Sequence, residues 1–195
     1  VVARDRVTVL EGVPTMYAAM MHCPDADGTD MSSLRTCITG GAPMPVEILK
    51  AFERKFDCEL YEGYGLSETA PIACFNQPGH PRKAGTIGIP VRGCALRIVG
   101  DDGADVPDGV PGEIAIQGEN LMKGYWNRPD ATAEAIPDGW FRTGDIGTRD
   151  GDGYYTIVDR KKDLIIRGGY NVYPREVQEV LYEHPAVAGA AVIGI

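Results

Sequence analysis

Leu34-Arg35-Thr36-Cys37-Ile38-Thr39-Gly40-Gly41-Ala42-Pro43 is a β-prone run that breaks on two glycines and a proline. The pattern predicts a strand from Leu34 to Thr39 that opens directly into a loop. Pro45 then starts a helix in which Val46, Leu49, Phe52 and Phe56 recur on one face. Cys58-Glu59-Leu60-Tyr61 reads as the next strand, and Gly63-Tyr64-Gly65 as a second glycine turn at its end. Strand, helix, strand with loops at the strand ends is the parallel-sheet pattern, whose ligands sit beyond the carboxyl ends of the strands. Both glycine loops would lie there. Upstream, Val7-Thr8-Val9-Leu10 reads as a short buried strand, and Pro14-Thr15 opens a helix through Met21.

Downstream the pattern changes. From about residue 75 to 158, short strands such as Ala95–Val99 and Glu113–Ile116 alternate with strong turn signals, Gly100-Asp101-Asp102-Gly103 and Pro107-Asp108-Gly109. This stretch is expected to form a small antiparallel barrel or sandwich, closed by a last strand from Tyr154 to Val158. Asp159-Arg160-Lys161-Lys162-Asp163 is a charged break. Beyond it come Leu164-Ile165-Ile166, a Gly168-Gly169 turn, a helix from Pro174 to about His184, and a strand beginning between Ala186 and Ile195. The expected fold is therefore α/β, followed by a small antiparallel β-barrel and then the start of a small α+β C-terminal domain. The corresponding divisions are 1–74, 75–158, a domain boundary at 159–162, and 163–195.

The 195 residues carry 28 acidic and 19 basic side chains, for a net charge of −9. Such a surface repels a phosphate backbone, so nucleic acid is not an expected partner, although a small nucleotide can still bind locally. Five widely spaced cysteines, with no Cys-x-x-Cys pair, imply neither a disulfide framework nor a zinc site and suggest a cytoplasmic protein. No apolar run reaches eighteen residues, so no transmembrane segment is expected, which leaves peripheral membrane contact open.

Four segments carry chemistry-bearing residues. Gly40-Gly41-Ala42-Pro43 offers a backbone that a flat group can approach closely, yet it equally suits a plain turn. Glu62 to Thr69 gathers an aromatic ring, the Ser67 hydroxyl and the Glu68 carboxylate, which suit a phosphate and a hard cation; Glu68 could also simply face water. Asp145, in Gly139 to Asp145, is an acceptor suited to two neighbouring hydroxyls or a turn residue capping its own backbone. The charge run at 159–163 could be a solvated face.

Taken in order, Thr39 to Pro43, Tyr64 to Thr69, Gly112 to Gly118, Lys123-Gly124-Tyr125, Trp140 to Asp145 and Asp159 to Glu176 resemble the adenylate-forming superfamily. The resemblance runs from about Pro14 to the last residue. Within it, Arg167 to Val177 is similar to the medium- and long-chain fatty acyl-CoA ligases. It implies that ATP and a carboxylic acid give an acyl-adenylate, from which coenzyme A then displaces AMP.

By that resemblance Gly41, Ala42 and Tyr64 flank the adenine, in a nucleotide wall that also takes in Glu62, Gly63, Gly65 and Leu66. Ser67 contacts phosphate, and Glu68 holds Mg2+. Asp145 takes the ribose hydroxyls, with Arg160 on the ribose or phosphate. Lys162 is the hinge between the half-reactions, and Gly168 and Gly169 line the pantetheine tunnel. Ser67 stands where the family more often has Thr. The family's phosphate loop and its C-terminal catalytic lysine have no counterpart in these residues, so the chain is expected to be part of a longer enzyme and inactive by itself. Two alternatives stay open, a ligase acting on an aryl acid or a carrier protein and a non-catalytic nucleotide-binding module.

Overall fold

The computed structural model describes residues 1–184, 186–187 and 189–194. A short helix α1 (Val2–Asp5) precedes β1 (Val9–Gly12), α2 (Pro14–Met21), β2 (Thr36–Thr39), α3 (Val46–Phe56) and β3 (Glu59–Gly65). Strands β4 (Ile72–Phe75) and β5 (Ile89–Pro90) complete a five-stranded sheet in the order β1-β2-β3-β4-β5. Its first three strands are parallel and its last two antiparallel. The sheet is thus mixed, and it continues past residue 74.

Helix α3 forms because its apolar residues fall on one stripe. Leu49, Phe52 and Phe56 are buried, while Glu47, Lys50 and Arg54 face out. Beneath them, Tyr17 of α2 meets Phe52 edge-on, with ring centroids 5.0 Å apart. The Tyr17 hydroxyl donates to the Ile38 carbonyl at 2.6 Å, which satisfies the polar end of a fully buried ring. Met44, Cys37 and Leu60 complete this core. Strand β1 departs from expectation. It starts two residues later than read and is an edge strand with Val9 half exposed, because no strand among the described residues pairs with its outer side.

The second glycine segment is also different. Gly63, Tyr64 and Gly65 do not form a turn; they are the end of β3 and pair with Phe75, Cys74 and Ile72 of β4. Glycine is required there for close approach. A Cβ on Gly65 would lie 1.7 Å from the Pro71 carbonyl oxygen, and one on Gly63 would lie 2.8 Å from the Phe75 ring.

Strands β6 (Cys94–Val99), β7 (Gly112–Gly118), β8 (Phe141–Arg149) and β9 (Tyr155–Arg160) form a four-stranded antiparallel meander, with helix α4 (Pro129–Ala135) between β7 and β8. The expected barrel is not formed. Strands β6 and β9 are the two edges of an open sheet and do not pair with each other. Closure is replaced by packing against the first sheet. Ala73, Cys74 and Ile87 share a core with Leu96, Ile98, Ile114, Ile116 and Tyr155, and Gly88 bridges to Tyr155.

After β9 a 3-10 turn (Lys161–Asp163) leads into a hairpin, β10 (Ile165–Arg167) and β11 (Tyr170–Val172), and then α5 (Pro174–Tyr182). The strand expected between Ala186 and Ile195 is not formed among the described residues there, since the hairpin pairs only with itself. Pro185, Ala188 and Ile195 lie outside the described residues. Among the described residues no helix is long and apolar enough to cross a membrane.

Candidate functional site

The carboxyl ends of β2 and β3 open on a cleft of about 860 Å³. Its floor is Gly41-Ala42-Pro43 and its wall is Glu62 to Leu66. The opposite side is Asp145 of β8, Ile157, Asp159 and Arg160 of β9, Lys162, and the start of α5. Parallel-sheet geometry puts the first two groups there, because a chain leaving a strand's carboxyl end turns outward over the sheet edge. Gly41 has φ +78, a conformation that suits glycine, and a Cβ there would meet only Val13 Cγ1, at 3.8 Å.

Ten expected site residues therefore share one cleft: Gly41, Ala42, Glu62, Gly63, Tyr64, Gly65, Leu66, Asp145, Arg160 and Lys162. Ser67, Glu68, Gly168 and Gly169 do not line it. Ser67 is exposed in the 3-10 turn after β3. Gly168 and Gly169, with φ of 59 and 85, form the exposed tip of the β10–β11 hairpin.

Tyr64 and Asp145 are the centre of the cleft. The phenol donates to Asp145 Oδ2 at 2.5 Å, and Arg160 Nε lies 3.6 Å from Oδ1. Burial pushes the Asp145 carboxyl above its ordinary range, while the Tyr64 hydroxyl and the Arg160 and Lys162 charges pull it back. Glu62 is more deeply placed, at 4% exposure. One oxygen accepts the Met44 N–H at 3.3 Å, and the other has no protein partner. Burial raises its pKa to about 7, against the pull of the Arg175 guanidinium and the Met44 amide. Thr39, its register partner on β2, also holds a buried oxygen without a partner.

Several residues that the sequence did not single out hold this arrangement. Asn120 donates to the carbonyls of Thr69 and Ile72, and Thr69 Oγ1 accepts the Leu66 N–H, which fixes the loop carrying Ser67 and Glu68. Tyr125, visible in the sequence only as part of Lys123-Gly124-Tyr125, donates to Glu68 Oε1 at 2.9 Å. Asp159 and Arg175 seat the C-terminal unit. Asp159 Oδ2 accepts the Arg175 N–H at 3.1 Å, and Arg175 Nη1 donates to the Ile157 carbonyl at 2.9 Å. Only their place in a charged segment hinted at them.

A nucleoside fits this donor and acceptor set. The side-chain-poor floor admits a flat base, Asp145 supplies an acceptor, and the Glu62 oxygen can take a ligand hydrogen. Magnesium fits less completely. Among the described residues no three His, Cys, Asp or Glu side chains gather as ligands. The lone Glu68 carboxylate suits a magnesium ion that keeps its waters and is shared with substrate phosphates.

The chain belongs to the AMP-binding enzyme family, whose match spans residues 1–126. It is 46% identical over 195 residues to a feruloyl-CoA synthase from an Amycolatopsis species, covering 100% of this chain and 40% of that protein. It is 41% identical over 196 residues to a long-chain-fatty-acid–CoA ligase of Bacillus subtilis, covering 100% of this chain and 35% of that one. Among solved structures, an anthranilate CoA ligase in complex with anthranoyl-AMP superposes with TM-score 0.92 at 34% identity, over 99% of this chain and 37% of that one. The chain thus spans about 40% of the length of the curated relatives it matches.

Proposed function

We propose that this chain is the nucleotide-binding part of an ATP-dependent acid–CoA ligase that forms AMP. Supporting this reading is the Tyr64–Asp145 pair, an aromatic face joined to a buried acceptor across a glycine-floored cleft. In the proposed reaction a carboxylate attacks the α-phosphate of ATP and expels pyrophosphate. The thiol of CoA then attacks the acyl carbon of the acyl-adenylate, and AMP leaves.

Asp145 accepts the ribose hydroxyls in this reading, and Tyr64 holds that carboxylate in place while its ring covers the base with Gly41 and Ala42. Glu62 sits at the base edge. Arg160 lies beside the ribose or phosphate, and the Ser67 hydroxyl donates to phosphate. Glu68 would hold Mg2+, which neutralises phosphate charge when bound. Lys162 is the proposed hinge between a large unit, built of an α/β part and the β6–β9 sheet, and a C-terminal unit whose Gly168-Gly169 tip would border the CoA path.

We read the acid as a fatty acid, from the similarity of Arg167 to Val177 to fatty acyl-CoA ligases. An aryl acid is the second reading, favoured by the feruloyl-CoA synthase relative. The test supplies the full-length protein with ATP, CoA and either a fatty or an aromatic acid. Acid-dependent release of AMP and pyrophosphate in equal amounts is expected, with acyl-CoA formed. Release of ADP, or nucleotide turnover independent of any acid, would refute the assignment.

A further inference from the structure

Glu113 lies outside the cleft lining, yet it is a buried carboxylate that gathers three donors. On β7 it pairs with Ile146, but two residues on, Ala115 pairs with Arg142. Strand β8 therefore spends four steps where β7 spends two, and Thr143-Gly144-Asp145 bulges out of the ladder. Asp145, the last residue of the bulge, lines the cleft. Gly144 takes φ +73 within the bulge.

Glu113 fills the space behind this bulge. Its Oε1 accepts the Gly144 N–H at 3.0 Å. Its Oε2 accepts from Arg142 Nη2 at 3.0 Å and from Lys161 Nζ at 3.4 Å. The side chain is 9% exposed, so these donors, rather than water, satisfy its charge. Thr143 adds a second tie, donating to the Ile114 carbonyl at 2.8 Å and accepting the Asp145 N–H at 3.1 Å. No other side chain bonds the Gly144 amide among the described residues.

We propose that Glu113 is a positioning residue for nucleotide binding: its carboxylate holds the Gly144 amide and so sets the place of Asp145, without touching ligand itself. The inference rests on the reading of Asp145 as the ribose acceptor. The acceptor oxygen, not the negative charge, performs this task, which separates it from a general structural role. Glutamine keeps an oxygen at the same reach for the Gly144 amide and gives up only the Arg142 and Lys161 contacts at the Oε2 position, aspartate draws the oxygen back by one methylene, and alanine removes it.

The experiment measures binding of ATP and 2′-deoxy-ATP to the full-length protein and its Glu113→Ala, Glu113→Asp, Glu113→Gln and Asp145→Ala variants, with thermal melting alongside. Losing the partner of a half-buried amide should cut ribose discrimination about tenfold in Glu113→Ala and Glu113→Asp, and Glu113→Gln should stay within about threefold of wild type. In steady-state assays KM for ATP should rise while kcat holds, as for lost ground-state binding. If Glu113→Ala does not fold, the Asp and Gln variants decide. Equal loss in Gln and Asp, or full discrimination in Ala and Asp, overturns the role of Glu113. Should Asp145→Ala itself keep full discrimination, the ribose reading fails first and takes the inference with it.

Discussion

Replacing Glu62 by glutamine should change how stability depends on pH. The carboxyl is 4% exposed, with one oxygen unpartnered, and its pKa rises from 4.5 to about 7. Between those values the folded chain keeps a proton that the unfolded chain has released. The contribution of this group is therefore full below pH 4.5 and is lost as the pH climbs through about 7. At about 1.4 kcal/mol per pH unit, the whole effect is on the order of 3 kcal/mol. Glutamine is neutral throughout and keeps an oxygen for the Met44 amide, so it escapes that loss. Urea unfolding of both proteins at pH 4.5 and pH 8 supplies the measurement. The variant should gain about 3 kcal/mol on wild type between the two pH values. A difference between the proteins that stays constant with pH would refute the reasoning, because an ionised Glu62 would then be as comfortable folded as unfolded.

Other outcomes follow from neighbouring contacts. Asp145→Ala should weaken ATP binding by about 1.5 to 3 kcal/mol, the scale of a hydrogen bond to a charged group, with isothermal calorimetry as the check and unchanged affinity counting against the role. Lys162→Pro in the full-length enzyme fixes φ near −65° at the proposed hinge. Pyrophosphate exchange should survive within about tenfold, while thioester formation from pre-made acyl-adenylate falls much further; equal losses would end the hinge proposal. Gly65→Ala forces a methyl group into the Pro71 carbonyl and should cost on the order of 3 kcal/mol. Gly151→Ala, where nothing lies within 4 Å, should stay within about 0.5 kcal/mol. Matching denaturation midpoints for those two variants would contradict the packing at Gly65.

Local signals carried the sequence reading as far as local physics reaches. Pro14, Pro45 and Pro174 open or immediately precede helices, and the stripe of Leu49, Phe52 and Phe56 faces the core as its spacing requires. The parallel core of β1, β2 and β3 followed from strand–helix–strand order. Pairing partners were less legible. Gly63-Tyr64-Gly65 looks like a turn by composition, but its glycines serve a close crossing with residues 71–75 that no local pattern encodes. The supposed barrel failed for the same reason, since closure depends on whether β6 meets β9, and here the first sheet covers that core instead. At the site, Asp145 and Tyr64 are 81 residues apart and were brought together in the reading only by resemblance. Glu113, Asp159 and Arg175 were missed as supports because a buried charged side chain and a surface one are spelled identically.

Helix α5 begins on a carboxylate that does not belong to it. Its own cap residue, Tyr173, makes no side-chain bond, and Asp159 of β9 receives the Arg175 amide in its place. In a sheet-borne cap of this kind, the helix is at its most comfortable only while it is parked. The cap is worth about 1 kcal/mol, and the Arg175–Ile157 bond about as much again. Together these two bonds contribute about 2 kcal/mol to the seating of α5 on β9. Water can replace both partners the moment they part, so neither contact leaves a buried orphan behind. If the C-terminal unit turns about Lys162 as proposed, contacts of that strength would let it part from β9 on thermal motion alone.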